Sequence, residues 1–133
     1  MLLLDTNLCI ELLRGRAPRA RDRLAETARR DVGISAITLA ELRHGAARSG
    51  RTDHHNESIT RLCMPLMVLD FDSTAAQHYG RLRALLEAAG TPIGPMDMLI
   101  AAHAVSLRAI VITNNTREFR RVPGLKVENW QHE

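Results

Sequence analysis

Short apolar runs alternate with helical patterns along this chain of 133 residues. Each run is rich in Leu, Ile and Val, and glycine, proline or polar residues separate it from the helical segment that follows. This alternation is typical of βαβ units, in which helices pack on both faces of a mostly parallel sheet. No internal repeat, linker or low-complexity tract interrupts it. The sequence therefore predicts an α/β fold in a single domain, residues 1–133.

The predicted elements follow one another closely, with turn residues between them. Strands are predicted at residues 2–5, 32–34, 67–69, 109–113 and 126–128, and helices at 8–14, 18–30, 37–47, 73–89 and 95–107, with a further helix ending at 63 and a short turn at 117–119. Three polar residues are predicted to cap helices: Asn7, Ser35 and Ser73. Thr38 and Glu41 match the spacing of a capping box.

Composition excludes several classes of protein. No apolar run approaches the roughly 20 residues that a membrane helix needs, and no secretory signal is visible. Cys9 and Cys63 are too few and too isolated for a disulfide framework or a zinc site, so we predict two reduced core cysteines in a cytoplasmic protein. The histidines lack zinc spacing, and packing is the role predicted for His103. The other histidines are His44, His54, His55, His78 and His132.

The formal net charge is +3, and nearly all of the positive charge is arginine, with Lys126 the only lysine. This balance permits an anionic partner such as nucleic acid, and arginine suits bidentate contacts with phosphate. Solvated surfaces are the alternative explanation of the arginine clusters. Aromatic residues make up 3% of the chain, so platforms that stack the bases of a single strand are not expected.

Three carboxylates stand in apolar surroundings: Asp5 after Leu2-Leu3-Leu4, Glu41, and Asp97 in an otherwise apolar helix. An unpaired buried carboxylate costs several kcal/mol, as an order of magnitude, unless something compensates its charge. A divalent cation that all three share is the simplest compensator. Each residue also has a structural alternative: an Asx turn for Asp5, the capping box for Glu41, and placement near a helix N-terminus for Asp97.

Chain direction predicts that these acids meet. Asp5 ends the first strand, Asn115 and Glu118 follow the fourth, and Glu41 and Asp97 lie in the first turns of helices that leave the same edge. In open α/β sheets, sites form outside the carboxyl ends of the strands. Carboxylate oxygens suit magnesium or manganese, and such an ion can acidify a water and neutralise a phosphodiester transition state.

Four short motifs occur in order along the chain. They are Asp5-Thr6-Asn7, Thr38-x-x-Glu41-Leu42, Gly94-Pro95-x-Asp97-x-x-Ile100-Ala101 and Thr113-Asn114-Asn115-x-x-x-Phe119. In this order and spacing they resemble a PIN domain of the VapC toxin type, and the similarity covers essentially the whole chain.

The resemblance implies a five-stranded parallel sheet flanked by helices, usually in a homodimer. It implies a Mg²⁺- or Mn²⁺-dependent endoribonuclease, the toxin of a toxin–antitoxin pair, inhibited by a VapB-type antitoxin whose C-terminal segment lies over the active-site groove. By the same resemblance Asp5, Glu41 and Asp97 are metal-binding acids.

The fourth motif departs from the common pattern. Many PIN domains have an aspartate where this chain has Asn115, and a subset instead has Thr-Asn-Asn followed by a glutamate, here Glu118. Glu118 either supplies the missing charge or pairs with Arg117 or Arg121 on the surface. Members of this subset resemble toxins that cut transfer RNA, which makes tRNA the expected substrate.

Three rival functions remain open. A phospho-acceptor receiver domain would use Asp5, Asp70 at the end of the third strand, and Thr113, but Lys126 starts its strand rather than ending it. A phosphatase with an Asp-x-Asp motif is disfavoured because Asn7 holds the second position. A catalytically inactive binding module of the same fold is the third rival.

Overall fold

The structure, a computed structural model, describes residues 1–131, so that His132 lies outside the described residues. Five short strands form one sheet in the order β3-β2-β1-β4-β5, and every neighbouring pair is parallel. The strands are β1 (Leu2–Leu4), β2 (Val32–Ser35), β3 (Met67–Leu69), β4 (Ile110–Ile112) and β5 (Lys126–Glu128). All five predicted strands are confirmed.

Helices connect the strands and cover both faces of the sheet. They are α1 (Thr6–Leu13), α2 (Pro18–Ala25), α3 (Ala36–Arg48), α4 (Thr52–Cys63), α5 (Ser73–Ala88), α6 (Pro95–Leu107) and the single turn α7 (Thr116–Phe119), with a 3₁₀ turn at Arg29–Asp31. The α/β prediction is therefore confirmed. In residues 1–131, no helix combines the length and apolar character required to span a membrane.

The core has two halves because alternate strand residues point to opposite faces of the sheet. Leu4 and Ile112 belong to one cluster, together with residues of α1 to α4, Leu66 and Trp130. Leu3 and Val111 belong to the other, with residues of α5, α6 and α7, including the fully buried Phe119. Cys9 is buried, Cys63 is partly buried, and both are free thiols, as predicted.

Strand β1 lies at the centre of the sheet, and the chain continues from it to β2 on one side while β4 pairs on the other. Such a switch in strand order opens a crevice at the carboxyl ends of the two central strands. Gly33 lets β2 approach β3 closely, since a Cβ there would lie 2.6 Å from the carbonyl oxygen of Met67.

Helix ends differ from the predictions in three places. α2 ends at Ala25 rather than residue 30 because the Thr27 hydroxyl donates to the carbonyl of Arg23 at 2.7 Å, and Ala28 is extended before the 3₁₀ turn. Asp5, not Asn7, caps α1. Asp72, not Ser73, caps α5, and its Oδ1 accepts from the amide of Ala75 at 2.9 Å. In each case the side chain of a neighbouring polar residue makes the hydrogen bond with the free amide or carbonyl at the helix end.

Candidate active site

Asp5 lies at the carboxyl end of β1 and is fully buried. Its Oδ1 accepts a hydrogen bond from the amide of Leu8 at 2.9 Å, which makes it the N-cap of α1. Its Oδ2 accepts from the hydroxyl of Thr113, which follows the neighbouring strand β4. The Thr113 hydroxyl in turn accepts from the amide of Asn115 at 2.8 Å. Asp5 is therefore fixed where β1 and β4 end, at the switch point.

Glu41 turns toward the same edge from the second turn of α3. The Thr6 hydroxyl donates to its Oε1 at 2.6 Å and lies 3.3 Å from the buried Thr38 hydroxyl. The capping-box interpretation of Thr38 and Glu41 is therefore wrong, because both lie inside α3 and contact α1. Ser35 caps α3, as predicted, and its hydroxyl accepts from the amide of Ile37 at 3.1 Å.

Glu118 and Asp97 face each other across the loop before α6. Glu118 Oε1 accepts from the amide of Gly94 at 2.7 Å, and its Oε2 accepts from the side-chain amide of Asn115 at 2.7 Å. Asp97 also shares a hydrogen bond with Glu118. The Gly94 backbone runs directly beside both acids, since a Cβ at residue 94 would lie 3.4 Å from Glu118 Oε1 and 3.7 Å from Asp97 Oδ2. Arg121 does not form an ion pair with Glu118 in the described part of the chain, and it donates to the carbonyl of Pro92 at 3.0 Å.

The acids shift one another's ionisation. Burial, and then repulsion from Glu41 and Glu118, raises the pKa of Asp5 to about 6, although Thr113 and Leu8 donate to it. Burial, followed by repulsion from Glu118, Asp5 and Glu41, raises the pKa of Asp97 to about 7. Burial alone would raise the pKa of Glu118, but the hydrogen bonds from Gly94, Asn115 and Asp97 outweigh it and hold the pKa below its ordinary value. The pKa of Asp97 therefore lies close to neutral pH, and Asp97 holds its proton more firmly than Glu118 does.

The donor chemistry of this cluster fits a hard divalent cation, because every candidate ligand is a carboxylate oxygen. Carboxylates whose charges repel one another favour a cation between them. Within residues 1–131, no three His, Cys, Asp or Glu side chains already stand in a metal-binding arrangement. Metal binding at this cluster therefore requires loss of the Asp97 proton and a side-chain adjustment.

Two features of the site escaped the sequence-based predictions. The amide of Gly94 holds Glu118 across 24 residues, and no local pattern signals such a contact. Asn114, which belongs to the fourth motif, has a buried Oδ1 that accepts no hydrogen bond within the described part of the chain.

His103 does more than pack. It is buried on α6, with its Nδ1 2.8 Å from the Ser35 hydroxyl and its ring edge-on to Phe71, with the centroids 5.4 Å apart. Burial lowers the pKa of His103. The contact joins α6, which carries Asp97, to the capped end of α3, which carries Glu41.

The topology counts against the receiver-domain rival. Strand β3, which ends before the exposed Asp70, lies at the edge of the sheet, with β2 between it and β1. In the doubly wound order of receiver domains, the third strand pairs with the first, so both acids share one crevice. Asp70 here is separated from Asp5 by a whole strand, and Lys126 lies at the opposite edge.

Comparison with known proteins decides the family. Residues 2–125 match the family model described as "PIN domain". The chain belongs to the PIN-domain family. This PIN domain is 42% identical over 128 residues to the tRNA(fMet)-specific endonuclease VapC of Salmonella typhimurium, covering 96% of each chain. It is 36% identical over 129 residues to ribonuclease VapC2 of Rickettsia felis, again over 96% of each chain.

Solved structures agree with this assignment. The PIN domain superposes on DNA-bound VapBC from Salmonella typhimurium with a TM-score of 0.92 and 41% identity, over 97% of each chain. It superposes on VapBC2 from Rickettsia felis, bound to a fragment of promoter DNA, with a TM-score of 0.91 and 34% identity, over 97% of this chain and 98% of that one. The resemblance to VapC-type PIN domains is confirmed.

Proposed function

We propose that this PIN domain is a divalent-metal-dependent endoribonuclease and the toxin of a toxin–antitoxin pair. The observation that carries the proposal is the group of acids at the switch point, where repulsion from Glu41 and Glu118 raises the pKa values of Asp5 and Asp97. Full-length relatives at 36–42% identity that are named as VapC nucleases support the same activity.

In this proposal Asp5, Glu41 and Asp97 hold Mg²⁺ or Mn²⁺. An ion held by these residues would supply an acidic water and would offset negative charge on the phosphodiester. Thr113 and Thr6 hold the carboxylates of Asp5 and Glu41 in place through their hydroxyls. These fixed positions are needed because catalysis of this kind depends on the placement of charge before the substrate arrives.

Glu118 and Asn115 have a supporting role. Both oxygens of Glu118 accept hydrogen bonds, one from the Gly94 amide and one from Asn115, so the carboxylate is held beside Asp97. Glu118 stays charged at a pH where Asp97 is still protonated, so it can accept a hydrogen bond from the Asp97 carboxyl, and the proton that Asp97 loses on metal binding would pass to solvent.

Transfer RNA is the proposed substrate. The relative at 42% identity is named a tRNA(fMet)-specific endonuclease, and the sequence-based expectation was also tRNA. Arg117 on α7 and Arg120 at its C-cap are exposed and lie close to Glu118 in the chain, and we assign them contacts with phosphates near the cleaved bond.

The proposed partners follow from the structural neighbours, which are VapBC complexes. We propose that a VapB-type antitoxin inhibits this chain, that the toxin forms a homodimer, and that it acts in the cytoplasm, where tRNA is found.

The test is cleavage of tRNA by the purified protein, with RNA ends mapped by sequencing. Cleavage should require Mg²⁺ or Mn²⁺, stop with a chelator, and disappear in Asp97→Asn while the far-ultraviolet circular dichroism is unchanged. Asp70→Asn is the matched control, since Asp70 is an exposed acid at the same edge of the sheet, and it should cut at the wild-type rate. Wild-type cleavage by Asp97→Asn would remove Asp97 from the mechanism.

A further inference from the structure

The amino ends of the strands form an edge of the sheet opposite to the candidate active site. The strand register places Val32, Leu2, Ile110 and Lys126 side by side across β2, β1, β4 and β5. Three steps of about 4.8 Å make this row about 14 Å long. Chain segments that enter these strands therefore present their side chains together, away from Asp5 and Asp97.

Exposed cations gather along this row. Arg29 and Arg30 precede β2, Arg108 precedes β4, and Lys126 begins β5. Helix α1 starts at the carboxyl edge and runs back across the sheet, which brings its C-terminal end to the same side. We call the resulting surface the basic edge, and its exposed residues are Arg14, Arg16, Arg29, Arg30, Arg108 and Lys126.

The positive charge of the basic edge is larger than the formal net charge of the whole protein. Its side chains carry six positive charges, whereas the formal net charge of the chain is +3, so the remaining residues sum to a negative charge. Asp31 is the acid that adjoins Arg29 and Arg30. In residues 1–131 the described side-chain ion pair joins Arg83 and Glu87 on α5, and the cations of the basic edge form none.

Arg108 supplies a second, independent observation. It caps α6 in the left-handed conformation, with φ 54° and ψ 35°, and is the non-glycine residue with positive φ in the described chain. Glycine holds the other positions of this kind, including Gly15 and Gly90. L-residues are disfavoured in this conformation, so an arginine at this position, where glycine would be less strained, points to a use for its charge. A cation also interacts favourably with a helix C-terminus, and the experiment below separates these two explanations.

We propose that the basic edge is a second RNA-binding surface, which holds backbone phosphates of a folded RNA while another part of that RNA occupies the active site. This inference rests on the proposed ribonuclease function. Eleven residues of helix separate Asp97 from Arg108, a distance of about 16 Å, so the basic edge contacts phosphates far from the cleaved bond. The basic edge contains no aromatic residue, so it binds phosphates and not stacked bases.

The first experiment measures binding of unfractionated tRNA to the full chain by fluorescence anisotropy, with a chelator present so that no RNA is cut. The variant is Arg29→Gln/Arg30→Gln/Arg108→Gln. The matched control is Arg43→Gln/Arg81→Gln/Arg83→Gln, which removes the same charge from exposed positions on α3 and α5. We expect tRNA binding by the variant to weaken at least tenfold at low salt, while the control stays within twofold of wild type.

The salt dependence should change as well. Each phosphate contact contributes about 0.7–0.9 to the slope of log K against log salt, so the variant should lose about 2 from that slope and the control none. With Mg²⁺ present, the variant should show a raised KM and an unchanged kcat for tRNA. Equal weakening in variant and control, an unchanged affinity, or equal competition by duplex DNA would each overturn the proposal.

Arg108→Gly separates binding from folding. Glycine relieves the left-handed strain, so its unfolding midpoint should equal or exceed that of wild type, while tRNA binding weakens; unchanged binding would contradict the role of Arg108. A change of oligomeric mass by light scattering in the variant would make the basic edge a contact between copies and overturn the proposal. Binding without cleavage would refute the nuclease proposal alone, and cleavage with unchanged binding by the variant would refute this one alone.

Discussion

The hydrogen bond between Ser35 and His103 should be a major source of stability in this domain. Ser35 is fully buried at the start of α3, and its hydroxyl contacts two groups at once: the amide of Ile37 at 3.1 Å and Nδ1 of His103 at 2.8 Å. The substitution Ser35→Ala removes both contacts and changes little volume. It therefore isolates the polar contribution of one side chain.

Two losses add in the Ser35→Ala variant. Removal of a serine N-cap costs about 1 kcal/mol. His103 is 1% exposed, so its Nδ1 is left without a partner in a buried position, which costs about 1–3 kcal/mol more. We therefore expect the free energy of unfolding to fall by about 2–4 kcal/mol. A domain whose free energy of unfolding is about 5–15 kcal/mol stays folded after a loss of this size, but with reduced stability.

Urea unfolding followed by circular dichroism measures this loss, with the slope of the transition as a check that the unfolded state is unchanged. The double variant Ser35→Ala/His103→Phe removes both polar partners, so it should be less destabilised than the sum of the single variants. A loss below about 0.5 kcal/mol for Ser35→Ala, the size expected of an ordinary surface substitution, would refute this reasoning.

The remaining predictions concern the acids and the sheet. Asp97→Asn should raise the urea midpoint at pH 8 without metal, because burial and repulsion raise the pKa of Asp97 to about 7; equal midpoints would contradict this. The pKa of Asp5 rises from 3.8 to about 6 on folding, so its contribution, present in full below pH 3.8, is lost as the pH rises through 6. That loss is about 3 kcal/mol, and between pH 4 and 8 the urea stability of Asp5→Asn should fall by about that much less than the stability of wild type, because Asp97 titrates in both proteins. Mg²⁺ should restore stability at pH 8 and do little at pH 4. Gly33→Ala places a Cβ 2.6 Å from the Met67 carbonyl oxygen and should lower the free energy of unfolding by about 1–3 kcal/mol, measured by thermal or urea unfolding. An unchanged midpoint would show that β3 moves to make room for the methyl group.

The positions of the strands were predictable because each is a short apolar run bounded by polar or turn residues. The partial burial of Asp97 was predictable for a similar reason, since the sequence of the helix around it is almost entirely apolar. Helix ends were less predictable. The choice between Asp72 and Ser73, or between Asp5 and Asn7, depends on which side chain meets the first free amide, and adjacent residues compete for it.

Contacts between distant residues set the limit of what the sequence reveals. Thr38 and Glu41 have the spacing of a capping box, but the same spacing also places two residues on one face of a helix interior, where they meet Thr6 of α1. The contact of His103 with Ser35 spans 68 residues, and each residue alone has an ordinary local explanation.

The Asp5 carboxylate is both a proposed metal ligand and the N-cap of α1. These two roles affect the choice of an inactive variant for trapping RNA or antitoxin complexes. In the proposed mechanism, truncation of Asp5 to alanine removes a metal ligand, but it would also leave the amide of Leu8 at the start of α1 and the hydroxyl of Thr113 beside β4 without their hydrogen-bond acceptor. In crystals of that variant, the active-site groove would be less well ordered than in the wild-type protein. Asp97→Asn removes an ionisable carboxyl group without removing a helix cap, so it is the better inactive variant for trapping complexes.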